Sequence, residues 1–344
     1  MPDRSRKASL MSSVELVEYS GEFDSRISSL LSRSHYLPYR YLARDPDPGL
    51  ARVCLDLFVS GLEGGDGEAY LALDGEDLVG IVECRESRWE SETVGKRAGE
   101  IKFLLVSEDS SPEAKLHDRL VVCAIDWARR NRIQYVLSKT NSDNIMAANA
   151  LEANGFLLVD TLLDYVCDMV KHPLSDTAKP PLMDGAAVRE ATACDIEQLA
   201  ELARSAFASH YGRFHQCGWI DKATATKVYE EWIRASCAGY ADWVVVMEAG
   251  ERLAGFAVWK KPSKLESELS KRVGHFSIGA VHPEFAGRGV FSSLTYRGMQ
   301  LLSESSECIE GPTHINNYAV QKAYSRLNWQ IVDARHSFVK WIGG

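Results

Sequence analysis

The chain has 344 residues, 45% of them hydrophobic and 25% charged, and 39 basic against 48 acidic side chains give a formal net charge of −9. That length suits two domains of ordinary soluble composition and excludes a disordered or collagen-like chain. An acidic chain argues against a nucleic-acid partner, and no run approaches the roughly 18 apolar residues of a membrane span. The opening MPDRSRKASLMSS has no apolar h-region, so no signal peptide is read and the cytoplasm is the expected compartment. The charge is uneven. Residues 1–180 hold 21 Lys/Arg and 30 Asp/Glu, whereas residues 181–344 hold 18 of each, which makes the neutral part the better host for an anionic ligand.

In chain order, VELVEY (14–19) reads as a strand and YLALDGEDLVGIVE (70–83) as a hairpin turning at Asp74-Gly75-Glu76. EIKFLLVS (100–107) reads as a strand, residues 113–131 as a helix, and 144–155 as a helix ending at Gly155-Phe156. Residues 171–185 carry three prolines and no apolar periodicity, a linker whose core is 173–185. Beyond it the same order returns. AVREAT (187–192) is strand-like, 195–210 and 222–237 have helical periodicity, and 240–260 is a hairpin around Ala249-Gly250. A strand at 273–282 leads through a Gly-bearing loop into a helix at about 289–305. A short strand, a helix from Asn317 to Leu327 and two closing strands complete it.

The spacing of equivalent residues is nearly constant. Gly75 and Gly250, like Val106 and Val281, are 175 apart; Asn144 and Asn317, like Phe156 and Trp329, are 173 apart. The chain is therefore written twice, as 1–172 and 186–344, and the expected fold class is α/β (α+β), each half a mixed, mostly antiparallel sheet flanked by helices. The eight cysteines are scattered without a CxxC pair, so buried thiols are expected and no metal site.

AVHPEFAGRGVFSSLTYRGMQLL (280–302) followed by HINNYAVQKAYSRLNW (314–329) resembles the GCN5-related N-acetyltransferase (GNAT) superfamily. Gly212-Arg213-Phe214-His215 through Trp219, the Asn317-to-Tyr324 helix and RWESETVGKRAGEIKFLL (88–105) are further similar to segments of dTDP-fucosamine acetyltransferase-type nucleotide-sugar N-acetyltransferases. The resemblance implies a tandem GNAT fold and acetyl-CoA as co-substrate. It places the coenzyme on the backbone of Gly279, Ala280 and Val281, on the loop Gly287, Arg288, Gly289, Val290 and Phe291, and at Asn317.

The residues suit that assignment. A helix N-terminus presents unpaired N–H groups and the positive end of the dipole to a pyrophosphate. Glycines let the backbone approach, and Arg288 adds a fork of donors. Two positions depart from the family pattern: Ala286 stands where it has Arg or Gln, and Phe291 where it has Gly or Ala. The Phe291 ring would either crowd the phosphates or turn into the core. On the strand GHFSIGAVH, alternation puts His275, Ser277, Gly279 and Val281 on one face and Phe276, Ile278, Ala280 and His282 on the other. Asn317 and Tyr324 lie two turns apart on one helix face. They are the expected catalytic pair, Tyr324 protonating the leaving thiolate and Asn317 holding the pantetheine or capping the helix.

The first half lacks these features. Its loop, VSEDSSPEAKLHDRL (106–120), has no glycine and offers Glu108, Asp109 and Glu113, and Leu151 stands where Tyr324 stands in the second half. It reads as a degenerate copy. For the acceptor, His210, Tyr211, Arg213, Phe214 and His275 are the expected substrate-binding residues, rings for stacking and an arginine for phosphate. No general base stands out among His210, His215, His275, His282 and His314, and a water chain would also suffice. The expected activity is direct acetyl transfer to a primary amine, with an amino-sugar nucleotide as first acceptor class. Another small-metabolite amine, a protein N-terminus, or a non-catalytic CoA-binding module are the alternatives. No membrane or nucleic-acid partner is expected, and the assembly is a monomer or homodimer.

Overall fold

The computed structural model describes residues 14–42, 48–110, 115–175, 179–265 and 268–343. The first half runs β1 (Glu15–Glu18), α1 (Asp24–Arg33), α2 (Pro48–Leu62), β2 (Gly67–Asp74), β3 (Asp77–Glu86), α3 (Arg88–Val94), β4 (Ala98–Val106), α4 (Leu116–Arg130), β5 (Tyr135–Asn141), α5 (Ile145–Ala153) and β6 (Leu157–Asp168). The second runs β7 (Ala186–Glu190), α6 (Ile196–Phe207), the short α7 (Arg213–Gln216), α8 (Lys222–Ala235), β8 (Trp243–Ala249), β9 (Arg252–Lys260), β10 (Val273–Val281), α9 (Val290–Leu302), β11 (Cys308–His314), α10 (Tyr318–Arg326) and β12 (Gln330–Trp341). Both hairpins turn where expected, at Gly75 and Gly250, whose φ values of 63° and 65° suit a residue without Cβ. Helices α1, α2 and α3 go beyond the expected elements. The start expected for α4, at Glu113, lies outside the described residues. The two closing strands expected after α10 are one strand, β12, whose register shifts at Ile331/Asp333 and Ser337/Phe338 bend it without ending it.

Among the described residues the strands form one twelve-stranded sheet, ordered β1-β2-β3-β4-β5-β12-β6-β11-β10-β9-β8-β7. The last strand of each half leaves its own copy. β6 pairs with β11, from Cys308↔Asp168 to His314↔Leu162, and β12 pairs with β5, from Arg335↔Asn141 to Trp341↔Tyr135. β6 and β12 then pair with each other at the centre. The segments 1–172 and 186–344 thus give the order of the repeat along the chain, while the sheet crosses between them. Neighbouring strand residues sort to opposite faces: Val136 and Phe338 pack with α4, whereas Leu137 and Val339 pack with α6 and α8. Helices α4, α5, α9 and α10 cover one face, and α1, α2, α6 and α8 the other.

Two openings interrupt the sheet. Parallel pairing of β4 with β5 stops at Ile101↔Ser138, and that of β10 with β11 at His275↔Glu310. β10 also carries a bulge, with Ser277 and Ile278 both opposite the gap between Trp259 and Ala257. The bulge corrects the simple alternation expected for this strand. Phe276 packs toward α9 and α10, whereas Ile278 and Ala280 pack toward α6 and α8. The eight cysteines are free; Cys194 is exposed, Cys123 and Cys237 are half-buried, and the rest are buried.

Candidate active site

The loop between β10 and α9 has the geometry its glycines suggest. Gly287 and Gly289 take φ of 77° and 78°. A Cβ on Gly287 would meet nothing within 4 Å, and one on Gly289 would find only the Pro181 carbonyl, at 3.9 Å. Both glycines are therefore set by backbone conformation, and the space above them is open. Gly289 is the N-cap of α9, and the first helical bond runs from the Ser293 N–H to its carbonyl. The N–H groups of Val290, Phe291 and Ser292 precede that bond and form the donor-rich end of the helix. Pro283 opens a short 3-10 turn just beyond β10. The Arg288 guanidinium is exposed, its carbon 5.7 Å from the centre of the Phe285 ring. Phe291 takes the inward alternative. Its ring lies 5.7 Å from both Phe276 and Tyr324 and packs on the core.

A cavity of about 690 Å³ joins this loop to the far side of the β10–β11 opening. Its wall includes Gly279–Val281, Gly287, Gly289–Ser292, Asn317, His210 and Tyr211, so most expected coenzyme residues and two expected acceptor residues share one space. The volume lies within the range of small-molecule sites, about 300–1,000 Å³. Sequence reasoning missed Tyr318, Lys322 and Arg326, which line the cavity from α10 at a spacing of four, a helical-face signal that was there to be read. His314 also lines it; its Nδ1 accepts from the Asn316 N–H at 3.1 Å, which leaves Nε2 to carry the proton of the neutral ring.

Asn317 is the N-cap of α10, its side chain accepting from the Val320 N–H at 3.4 Å. Tyr324 departs from expectation. It is fully buried behind the cavity wall, stacked on Trp329 at 4.4 Å and 9° and tilted against Tyr165 at 5.1 Å. Its hydroxyl has no hydrogen-bond partner among the described residues and ends beside Gly311, one residue past the last β10–β11 pair. Burial, reinforced by Tyr165, holds its pKa well above the usual phenol value. The phenol is thus kept neutral at the apex of the opening.

Three expected acceptor residues lie elsewhere. Arg213 is committed to Glu90 of α3, two bonds of 2.8 and 2.6 Å, while its backbone N–H donates to Asp160. Burial opposes its charge, but Glu90 more than compensates and holds the guanidinium above its ordinary pKa. It is a structural pair between the halves, because a buried guanidinium must find a carboxylate. Phe214 is a core ring at 3% exposure, under the Arg213 guanidinium at 3.9 Å. His275 faces away from the cavity and meets Glu310 through Nδ1 at 2.9 Å. His210 remains, edge-on to Phe207 and Tyr229, and burial followed by His215 and His314 pushes it down to about 4.

In the first half, Asn144 caps α5 by accepting from the Ala147 N–H, and Leu151 is fully buried in the α4 core. Asp109 is exposed near Arg33, and Glu113 lies outside the described residues. Among the described residues no cluster of His, Cys, Asp and Glu is arranged to hold a metal, and no helix is long and apolar enough to cross a membrane.

No family model and no curated protein matches the chain by sequence. Solved structures match it in shape. A GCN5-related N-acetyltransferase from Sphaerobacter thermophilus shares 13% identity at a TM-score of 0.65, with 96% of both chains covered. A tandem GNAT protein from the clavulanic acid biosynthesis pathway shares 12% at 0.59, covering 96% of this chain and 99% of that one. The glucosamine N-acetyltransferase region of a fungal multi-domain GH3 β-N-acetylglucosaminidase shares 12% at 0.60, covering 95% of this chain and 38% of that one. Identities this low speak for the fold, and end-to-end coverage against a tandem protein agrees with the repeat in the sequence. The chain has the tandem GNAT fold.

Proposed function

We propose that the second half transfers acetyl from acetyl-CoA to a small primary amine. The observation that carries this reading is the single cavity that runs from the Gly287–Gly289 loop, through the β10–β11 opening, to His210, Tyr211 and His314. Bound from opposite ends of one opening, thioester and amine would be aligned without a covalent enzyme intermediate. The α9 N–H groups would hold the pyrophosphate, and backbone N–H near Gly279–Val281 would meet the developing oxyanion. The neutral Tyr324 hydroxyl lies behind the cavity wall, so to donate to the departing sulfur it would have to reach through the β10–β11 gap beside Gly311. His210, on the cavity wall, is the base we favour for the amine proton; burial keeps it unprotonated at neutral pH and at the same time weakens it as a base. A small amine is preferred over a nucleotide-sugar because Arg213, the cation expected to meet the diphosphate, is taken by Glu90.

The test is release of free thiol from acetyl-CoA in the presence of a panel of primary amines, for wild type and Gly289→Val. Amine-dependent release in wild type, lost in the variant, supports the reading. Coenzyme A binding with no release for any amine would leave a binding module.

A further inference from the structure

The sheet face that meets α1, α2, α6 and α8 is polar across its middle strands. Glu100 and Lys102 on β4, Lys139 on β5, Asp333 and Arg335 on β12, Asp164 on β6 and Glu310 on β11 all border a second cavity, of about 350 Å³, roofed by the residues 36–41 that follow α1. It lies at the β4–β5 opening of the first half and shares no lining residue with the cavity described above. Charged side chains rarely occupy the middle of a sheet face unless they are paired.

Most of these are paired. Asp164 holds Arg335 at 2.6 Å, Asp333 holds Arg40 at 2.8 Å, Glu310 accepts the Tyr41 hydroxyl at 2.6 Å, and Glu100 lies 3.5 Å from Lys102. Lys139 differs. Its side chain opens into the cavity and is exposed there, with neither a hydrogen bond nor an ion pair to any described residue, and Glu100 is the carboxylate that acts on its charge. Burial, which Glu100 opposes and Arg213 and Arg335 reinforce, lowers its pKa to about 8, so most of it is charged at neutral pH. A cation with no hydrogen-bonded carboxylate, on a wall where each carboxylate already has its partner, offers an anion a charge-assisted bond.

We infer that this inter-half cavity binds a small organic carboxylate, with Lys139 as its anion anchor and the surrounding paired carboxylates and phenols receiving the ligand's hydroxyl or amino groups. A monoanion fits better than a phosphate, because the other lining cations, Arg85, Lys102 and Arg335, are already held by Glu83, Glu100 and Asp164, which leaves Lys139 to meet one negative charge. The first half, without a glycine loop, thereby keeps a ligand pocket on the face opposite to the lost coenzyme site. The assignment is independent of the chemistry proposed for the second half.

The test is titration calorimetry of the full chain with serine, glutamate, lactate and malate, and with inorganic phosphate and ethanolamine as contrasts. At least one carboxylate should bind wild type, Lys139→Arg should retain it, and Lys139→Met should weaken it about 10–100-fold, the loss of one charge-assisted bond. Circular dichroism confirms that the variants are folded; if Lys139→Met is not, Lys139→Gln carries the comparison. Coenzyme A binding should be the same in wild type and folded variants. Absence of binding for all four carboxylates, equal binding by Lys139→Met, or tighter binding of phosphate or ethanolamine would each overturn the inference.

Discussion

Replacing Tyr324 by Phe removes one hydroxyl and leaves the ring on Trp329, 4.4 Å away, and on Tyr165. Stability and turnover should then move in opposite directions. A buried hydroxyl without a partner costs about 1–3 kcal/mol, so its removal should leave the protein as stable as before or up to about 2 kcal/mol more stable. A gain of that size raises the unfolding midpoint by roughly 2–4 °C per kcal/mol. If the hydroxyl serves the departing sulfur, turnover should fall about 10²–10⁴-fold, near the low end because a thiolate leaves tolerably unprotonated. Coenzyme affinity should hardly change, since the lost bond matures in the transition state. Because burial holds the phenol above its usual pKa, no loss of turnover from its ionisation is expected up to pH about 10. The assays are denaturant unfolding and single-turnover acetyl transfer. A fall in turnover of less than about threefold, with chemistry rate-limiting, would refute the donor role and make Tyr324 a packing residue. A loss of stability beyond about 1 kcal/mol would mean that the hydroxyl has a partner in solution.

Gly289→Val should weaken coenzyme A binding by at least about tenfold in calorimetry, and its folding cost should be confined to about 1–2 kcal/mol of left-handed strain, because a Cβ there has nothing nearer than 3.9 Å. Titration of the wild type should give one coenzyme A per chain; two would mean that the glycine-free loop also binds. Arg213→Met should destabilise by about 3–5 kcal/mol in denaturant, since Glu90 would be left buried and uncompensated, and any folded fraction should keep the wild-type acceptor KM. His210 sits at about 4 when folded and near 6.5 unfolded, so the unfolded chain binds the extra proton between those values. Its contribution, up to about 3 kcal/mol, is complete above pH about 6.5 and lost as pH falls toward 4; the drop should be shallower in His210→Asn.

Much of the fold could be read from short-range patterns. The glycine turns, the Asn144 and Asn317 caps and the Gly287–Gly289 loop depend on φ angles and on bonds spanning a few residues, and all stand where the sequence suggests. The acceptor side was less legible. His210 and Tyr211 line the cavity, whereas Arg213 and Phe214, two and three positions on, do not. Which side of a short helix meets the solvent depends on what packs over it, and for Arg213 that is Glu90, 123 residues away in sequence. The bulge at Ser277–Ile278 was equally hidden, because a strand's alternation is legible only while its pairing register holds.

The sequence by itself determined the repeat, the type of nearly every element in the second half, and the anion-ready loop that only one copy retains. Each of these is written in local periodicity or in residues whose backbone freedom is intrinsic. The tertiary structure alone decided the exchange of β6 and β12, the burial of Tyr324 behind its wall, and the convergence of Lys139 with carboxylates from four other strands. Two copies of one fold present the last strand with near-equivalent edges to pair with. Which edge it takes is settled by side chains far apart in the chain, so the choice leaves no local mark.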